Sequence, residues 1–165
     1  MTAENDLARI LLERARKLAA RTIGAADRTV HADAAIVDVG TERFAIPSRF
    51  IRGIVPLSRV MRLPGFPPHL AGVVHVRGEL LSVVDLGVYL ATRGASRPRF
   101  LVVVRTDAGP LGLAVEEVVE FRTIHVDEIE PTDSSSRRPT TAVTRDLVQL
   151  LDIPRLANDE SLVVQ

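Results

Sequence analysis

The chain has no cysteine, no tryptophan, a single tyrosine, and one lysine among its 21 basic residues. Without cysteine there is no disulfide and no thiolate metal site, and a reducing compartment suits the chain. One Tyr and five Phe leave little for stacking nucleic-acid bases, and the five Phe are read as core or seam. Basic and acidic residues balance at 21 each, so there is no net positive charge to draw a polyanion. No apolar run approaches the roughly 20 residues of a membrane span, and the charged amino terminus is not a secretory signal. A Walker-type or dinucleotide-type glycine loop is also missing; Gly109 and Gly112 fall in a hairpin pattern. These absences point to a soluble, cytoplasmic protein with no cofactor, no nucleic acid and no direct membrane insertion. What is abundant is arginine, whose planar fork suits bidentate contacts.

Residues 4 to 22 have the spacing of an amphipathic helix. Leu7, Ile10, Leu11, Ala15 and Leu18 fall on one side, and acidic residues open the helix while basic ones close it. Such a helix is marginal alone, so it packs either on its own domain or on another protein. Gly24 to Asp33 reads as a linker, giving an N-terminal unit over 1–29.

From Ala34 the pattern repeats at an offset of 67. AAIVDVGTERFAI (34–46) lies over LVVVRTDAGPLGL (101–113), and LSVVDL (81–86) over VQLLDI (148–153). Asp85 falls on Asp152, Pro64 on Pro131, and Gly78-Glu79 on Arg145-Asp146. The reading is two similar halves, about 34–91 and 101–158, within one unit over 30–158, followed by a tail over 159–165. Short strands broken by Gly, Pro and Asp turns argue for small closed barrels. Asp85 and Asp152 are placed to cap short helices, the last running from Ile153 to about Asn158. TDSSSRRPT (132–140) is polar and turn-rich and is expected to be a mobile loop.

The most informative stretch is LPGFPPHLAGVVHVRGELLSVVDL, residues 63–86. Gly78-Glu79 fits a type II′ turn, which needs positive φ at its first central residue. That register sets Arg77 opposite Leu80, Val76 opposite Leu81, His75 opposite Ser82 and Val74 opposite Val83. Val74, Val76, Leu81 and Val83 then share an apolar face, while Val73, His75, Arg77, Leu80, Ser82 and Val84 share a mixed one. A His75–Ser82–Asp85 trio contains the residue types of nucleophilic catalysis. Yet Asp85 leaves for a helix cap and no elbow activates the serine, so no catalytic residue is assigned. His31, His69, His75 and His125 lack ligand spacing, so no metal is assigned either. Glu116, Glu117 and Glu120 read as solvated strand charges. Arg77, beside a glycine and near exposed aliphatics, reads either as an interface hot spot or as a plain surface pair with Glu79.

Pro64, Pro67, Gly72, Val73, His75, Arg77 and Gly78, followed by VVDL at 83–86, resemble the signature of the CheW-like domain family, adaptors of bacterial chemosensory arrays. The resemblance spans about Ala34 to Ala157. It implies a mostly β fold of two SH3-like five-stranded barrels, here with an added N-terminal helix and a short C-terminal one. It also implies a non-enzymatic adaptor joining the cytoplasmic tip of methyl-accepting chemoreceptors to a CheA-type histidine kinase, recruited to membrane arrays and self-associating weakly there. By position it nominates Arg77, Gly78, Gly72, His75, Ile51 and Ile54 for the receptor. For the kinase regulatory domain it nominates Leu111, Gly112, Leu113 and Val115, as edge residues of a strand. The chain departs from the family at His75, commonly Asn, at Gly53, commonly acidic, and in a shortened late hairpin, AVTRDL. A motility or pilus pathway would be an alternative setting, and a small-barrel nucleic-acid or ligand-binding domain an alternative class. His75 is also a candidate for pH-sensitive binding.

Overall fold

Four segments read as unbroken apolar runs: AAIV at 34–37, FAI at 44–46, LVVV at 101–104 and LAV at 113–115. Strands that read this way are covered on both faces. In the computed structural model, which describes residues 8–14 and 30–162, all of these residues are buried. They lie on β1 (Val30–Val39), β2 (Glu42–Pro47), β6 (Phe100–Thr106) and β7 (Gly109–Val115). Alternate residues of each strand face different cores. Ala34 and Ile36 fill the interior of one sheet, Leu101 and Val103 that of the other. Val37, Val39, Val102 and Val104 meet in the largest core, between the sheets.

The remaining strands are β3 (Ile51–Pro56), β4 (Leu70–Val76), β5 (Glu79–Asp85), β8 (Glu117–His125), β9 (Ile129–Pro131), β10 (Thr140–Thr144) and β11 (Val148–Leu151). One sheet has the order β3-β6-β7-β5-β4, the other β8-β1-β2-β11-β10-β9. The fold is therefore mostly β, with two SH3-like units, and the second carries six strands where five are expected. The hairpins are exchanged: β1–β2 completes the sheet built from late strands, and β6–β7 completes the one built from early strands. Register repeats with them. Ala35 opposes Ile46 and Phe121, as Val102 opposes Leu113 and Ile54, and the parallel pair Ala45–Leu150 matches Gly112–Val83. Each matched residue stands 67 positions from its counterpart.

Both helix caps form as the aspartates predict. Asp85 accepts from Val88 N–H at 3.2 Å to open α2 (Leu86–Tyr89), and Asp152 from Arg155 N–H at 3.1 Å to open α3 (Ile153–Ala157). At the amino terminus, residues 8–14 are helical (α1) and expose Ile10, Leu11 and Leu12. The rest of the expected 4–22 helix lies outside the described residues. Of the expected linker, 24–29 also lie outside them, and Val30–Asp33 already belong to β1. Segment 132–140 is tied down rather than loose. Arg138 forks onto Glu42 at 2.6 and 3.0 Å, and Arg155 donates to the carbonyls of Arg138 and Ser136. Composition registers a polar segment and misses that Arg138 meets Glu42 96 residues away and that Arg155, 17 and 19 residues on, holds two of its backbone carbonyls.

Candidate functional site

The β4–β5 hairpin turns at Arg77-Gly78, not at Gly78-Glu79. Val76 opposes Glu79, His75 opposes Leu80, Val74 opposes Leu81 and Val73 opposes Ser82. Arg77 has φ 49° and Gly78 φ 86°, the paired positive values of a type I′ turn. The expected and observed registers differ by two residues, so the same side chains share each face, and alternation cannot distinguish them. Val74, Leu81 and Val83 are buried, with Val76 half-buried beside them. Val84 departs from the expected mixed face. A bulge between Leu70 and Gly72 shifts the pairing, and Val84 enters the largest core.

This shift separates the residues of the trio. His75 faces the exposed Leu80, Ser82 faces Val73, and Asp85 is occupied as a helix cap. Among the described residues, no three metal-ligating side chains cluster.

Arg77 is exposed at the tip, and among the described residues it has no ion pair; Arg52 takes Glu79 at 3.1 Å instead. Arg52, Gly53 and Val55 of β3 face Val76, Arg77 and Glu79 across a depression of about 140 Å³. The two strands are the free edges of their sheet, so this seam is where the first barrel closes. Space beside Gly53 is open: a Cβ there would meet nothing within 4 Å. Arg52 is the residue that sequence reasoning missed. Only its alternation with Gly53 along a strand flanking the turn could have marked it.

The other nominated receptor residues do not all gather here. Ile51 and Ile54 are half-buried against the largest core, on the far side of β3 from the depression. A bulge between Ile51 and Gly53 sets them together and turns Gly53 away. Gly72 is buried with φ 140°, and a Cβ there would collide with the carbonyl of Met61. It serves the close crossing of the 57–63 segment, whose Met61 bridges Val73. His75 lies on the outer face with Val73, Leu80, Ser82 and Met61, away from the seam. Leu80, on β5, is 70% exposed and Met61, bridged to β4, is 63% exposed, an apolar surface flanking the edge strand β4.

The kinase-side positions need a correction. β7 lies between β6 and β5, so it is not an edge. Leu113 and Val115 are buried core residues, and Gly112 is buried where a Cβ would press on Leu101. Leu111 alone keeps partial exposure. The repeat does offer exposed side chains elsewhere: Leu147, the counterpart of Leu80, is 75% exposed at the β10–β11 turn with φ 65°.

The second barrel has its own seam, closed by charge. Arg122 of β8 donates to both Asp146 oxygens, at 2.8 and 3.3 Å, beside the β10–β11 turn. That contact and the Thr144 hydroxyl bring the Asp146 carboxyl down to about 2. At the far end, Tyr89 O–H donates to Asp159 at 2.5 Å and His69 Nε2 meets the Ser161 carbonyl at 2.7 Å. Burial and that carboxylate raise the tyrosine's pKa well above its ordinary value. These contacts strap the C-terminal segment across the first barrel.

Comparison with known proteins agrees with this architecture. The family model for the CheW-like domain matches residues 33–161. The chemotaxis protein CheW of Klebsiella aerogenes is 24% identical over 148 residues, 84% of this chain and 89% of that one. CheW of Bacillus subtilis is 25% identical over 114 residues, covering 67% and 72%. The crystal structure of the scaffolding protein TtCheW from Thermoanaerobacter tengcongensis superposes with a TM-score of 0.69 at 18% identity, covering 79% of this chain and 94% of that one. The exchanged hairpins, the strand-to-helix aspartate caps and a family match over most of the sequence lead to one conclusion: the chain belongs to the CheW-like domain family.

Proposed function

We propose that the protein is a non-enzymatic chemotaxis adaptor that couples methyl-accepting chemoreceptors to a CheA-type histidine kinase in the cytoplasm. Family membership supports the adaptor class. The single observation that carries the receptor contact is Arg77, exposed on a positive-φ tip above the Gly53 seam with no ion-pair partner among the described residues. Its guanidinium is permanently charged and planar, so it can engage a carboxylate bidentately. Gly78 supplies the tip's second positive φ. Ile51 and Ile54 flank the same strand from its other face.

The kinase's regulatory domain, itself of this fold by the family resemblance, docks by apolar contact. Leu80 with Met61 is the surface of the first barrel suited to it, and Leu147 that of the second. No helix among the described residues is long and apolar enough to cross a membrane, so arrays recruit the protein through its partners.

Titration calorimetry with a receptor helical-hairpin fragment tests the reading. Arg77→Glu is expected to weaken binding by roughly 1–3 kcal/mol with an unchanged melting temperature. Full-strength binding by that variant would remove Arg77 from the interface.

A further inference from the structure

Two apolar faces stand open among the described residues near the amino terminus, one on α1 and one on β8. Every described residue of α1 is exposed, Ile10 and Leu11 among them. A short amphipathic helix gains its stability by packing its apolar stripe on something. On β8, Phe121 is 61% exposed, and Val119 before it and Val126 just past the strand are exposed as well. Ile46, Ala35 and Phe121 are register partners across β2, β1 and β8. The first two are buried, so Phe121 carries one row of the sheet out to its open edge.

The chain itself brings the two faces together. β1 begins at Val30, which pairs with His125, next to Val126. Phe121 pairs with Ala35, about 17 Å further along β1. Residues 15–29 separate α1 from β1 and can reach up to about 50 Å, so α1 can fold back onto β8 of its own molecule. Such a tether gives the intramolecular contact a high effective concentration.

Charge selects β8 among the exposed apolar surfaces. Residues 7–22 carry five basic side chains and one acidic, whereas residues 116–130 carry six acidic and one basic. Glu117 is taken by Arg99, but Asp127 and Glu130 are exposed and have no ion-pair partner among the described residues. The other surfaces repel a basic helix: Met61 lies between Arg59 and Arg62, Leu80 near Arg77, and Leu147 two residues after Arg145. A second copy of β8 is disfavoured as occupant in the same way, by acid against acid.

One residue fixes the pose. Arg14 falls inside the apolar stripe, four positions after Ile10 and four before Leu18. A helix lying on that stripe therefore presses a guanidinium onto whatever it covers. Asp33 and Thr123 are register partners two residues from the Ala35–Phe121 pair, so Asp33 shares the outer face with Phe121. Asp33 is exposed, accepts from the Thr123 hydroxyl at 2.6 Å and has no ion-pair partner among the described residues.

We infer that α1 docks in cis on the outer face of β8, with its apolar stripe over Phe121 and Arg14 paired with Asp33. The arrangement with α1 exposed is the undocked one. The outer face of β8 serves neither partner contact proposed above, so this docking holds or fails independently of them.

The test uses the full chain with a nitroxide on Glu13→Cys, then its single cysteine, on the side of α1 away from the stripe. The amide NMR signals of Phe121, Thr123 and Val126 are expected to broaden. Arg14→Asp should reduce that broadening severalfold, and adding Asp33→Arg to it should restore the effect. Ile10→Ser with Leu11→Ser should abolish it while the signals of the β-sheets stay in place. A mixture of isotope-labelled chain lacking the nitroxide with unlabelled chain carrying it should show no broadening. Full broadening in that mixture would make the contact one between copies and overturn docking in cis. No broadening on β8, broadening centred on Leu80 or Leu147, or indifference to Arg14→Asp would each overturn the site.

Discussion

Arg77 takes a φ of 49°, and a non-glycine residue in that region carries a cost of order 1 kcal/mol. Neighbouring Gly78 bears no such cost, and the turn forms because both central positions of a type I′ turn must be positive. Gly72 is the opposite case, a glycine required by close approach as well as by its φ of 140°. Gly72→Ala is therefore expected to destabilise the fold by roughly 2–5 kcal/mol, combining backbone strain with overpacking. A chemical-denaturation midpoint indistinguishable from wild type would show that the Met61 crossing yields easily.

Asp146 gives a pH signature. Its carboxyl titrates at about 2 in the folded protein against an ordinary 3.8, so the unfolded chain takes up the proton first as pH falls. The stability it contributes is complete above 3.8 and is lost as pH drops toward 2. Because more than half of its side chain is exposed, solvent screening holds the effect to about 1 kcal/mol at most. Asp146→Asn should flatten the stability curve between pH 4 and about 2, read by thermal melts across that range. An unchanged acid slope would contradict the Arg122–Asp146 pairing.

At the scale of elements, the parts legible in the sequence are those set by local chemistry. The covered strands declared themselves as apolar runs, and the two aspartate caps followed from Asp85 and Asp152 at the ends of strands. The hairpin register did not follow, because a slip of two residues keeps every side chain on its face and leaves only turn preference to decide. The interior position of β7 was hidden for another reason. It rests on the exchange of hairpins between halves, a long-range fact with no local trace in Leu113 or Val115. The 132–140 segment failed likewise, its order depending on Glu42 nearly a hundred residues away. Arg138→Ala leaves Glu42 with only Gln149 and is expected to cost about 2 kcal/mol, lowering the melting temperature by roughly 4–8 °C. It should also speed proteolysis within Ser134–Arg137. If neither changes, the bidentate pair does not anchor the loop.

At the scale of the whole molecule, two barrels share the largest core, and each repeat supplies a hairpin to the other's sheet. Parting the two halves would break strand ladders as well as the shared core, the coherence that the proposed adaptor role calls for. Its two repeats have diverged in charge at matched positions, Arg49 against Glu116 and Arg105 against Asp38, so equivalent surfaces can serve different partners. The most direct measurement is sedimentation velocity on this protein mixed with a receptor hairpin fragment and a kinase regulatory domain. The account predicts a ternary complex heavier than either pair, reduced to the kinase pair alone by Arg77→Glu. Two partners that displace each other, or a ternary complex indifferent to that substitution, would contradict it.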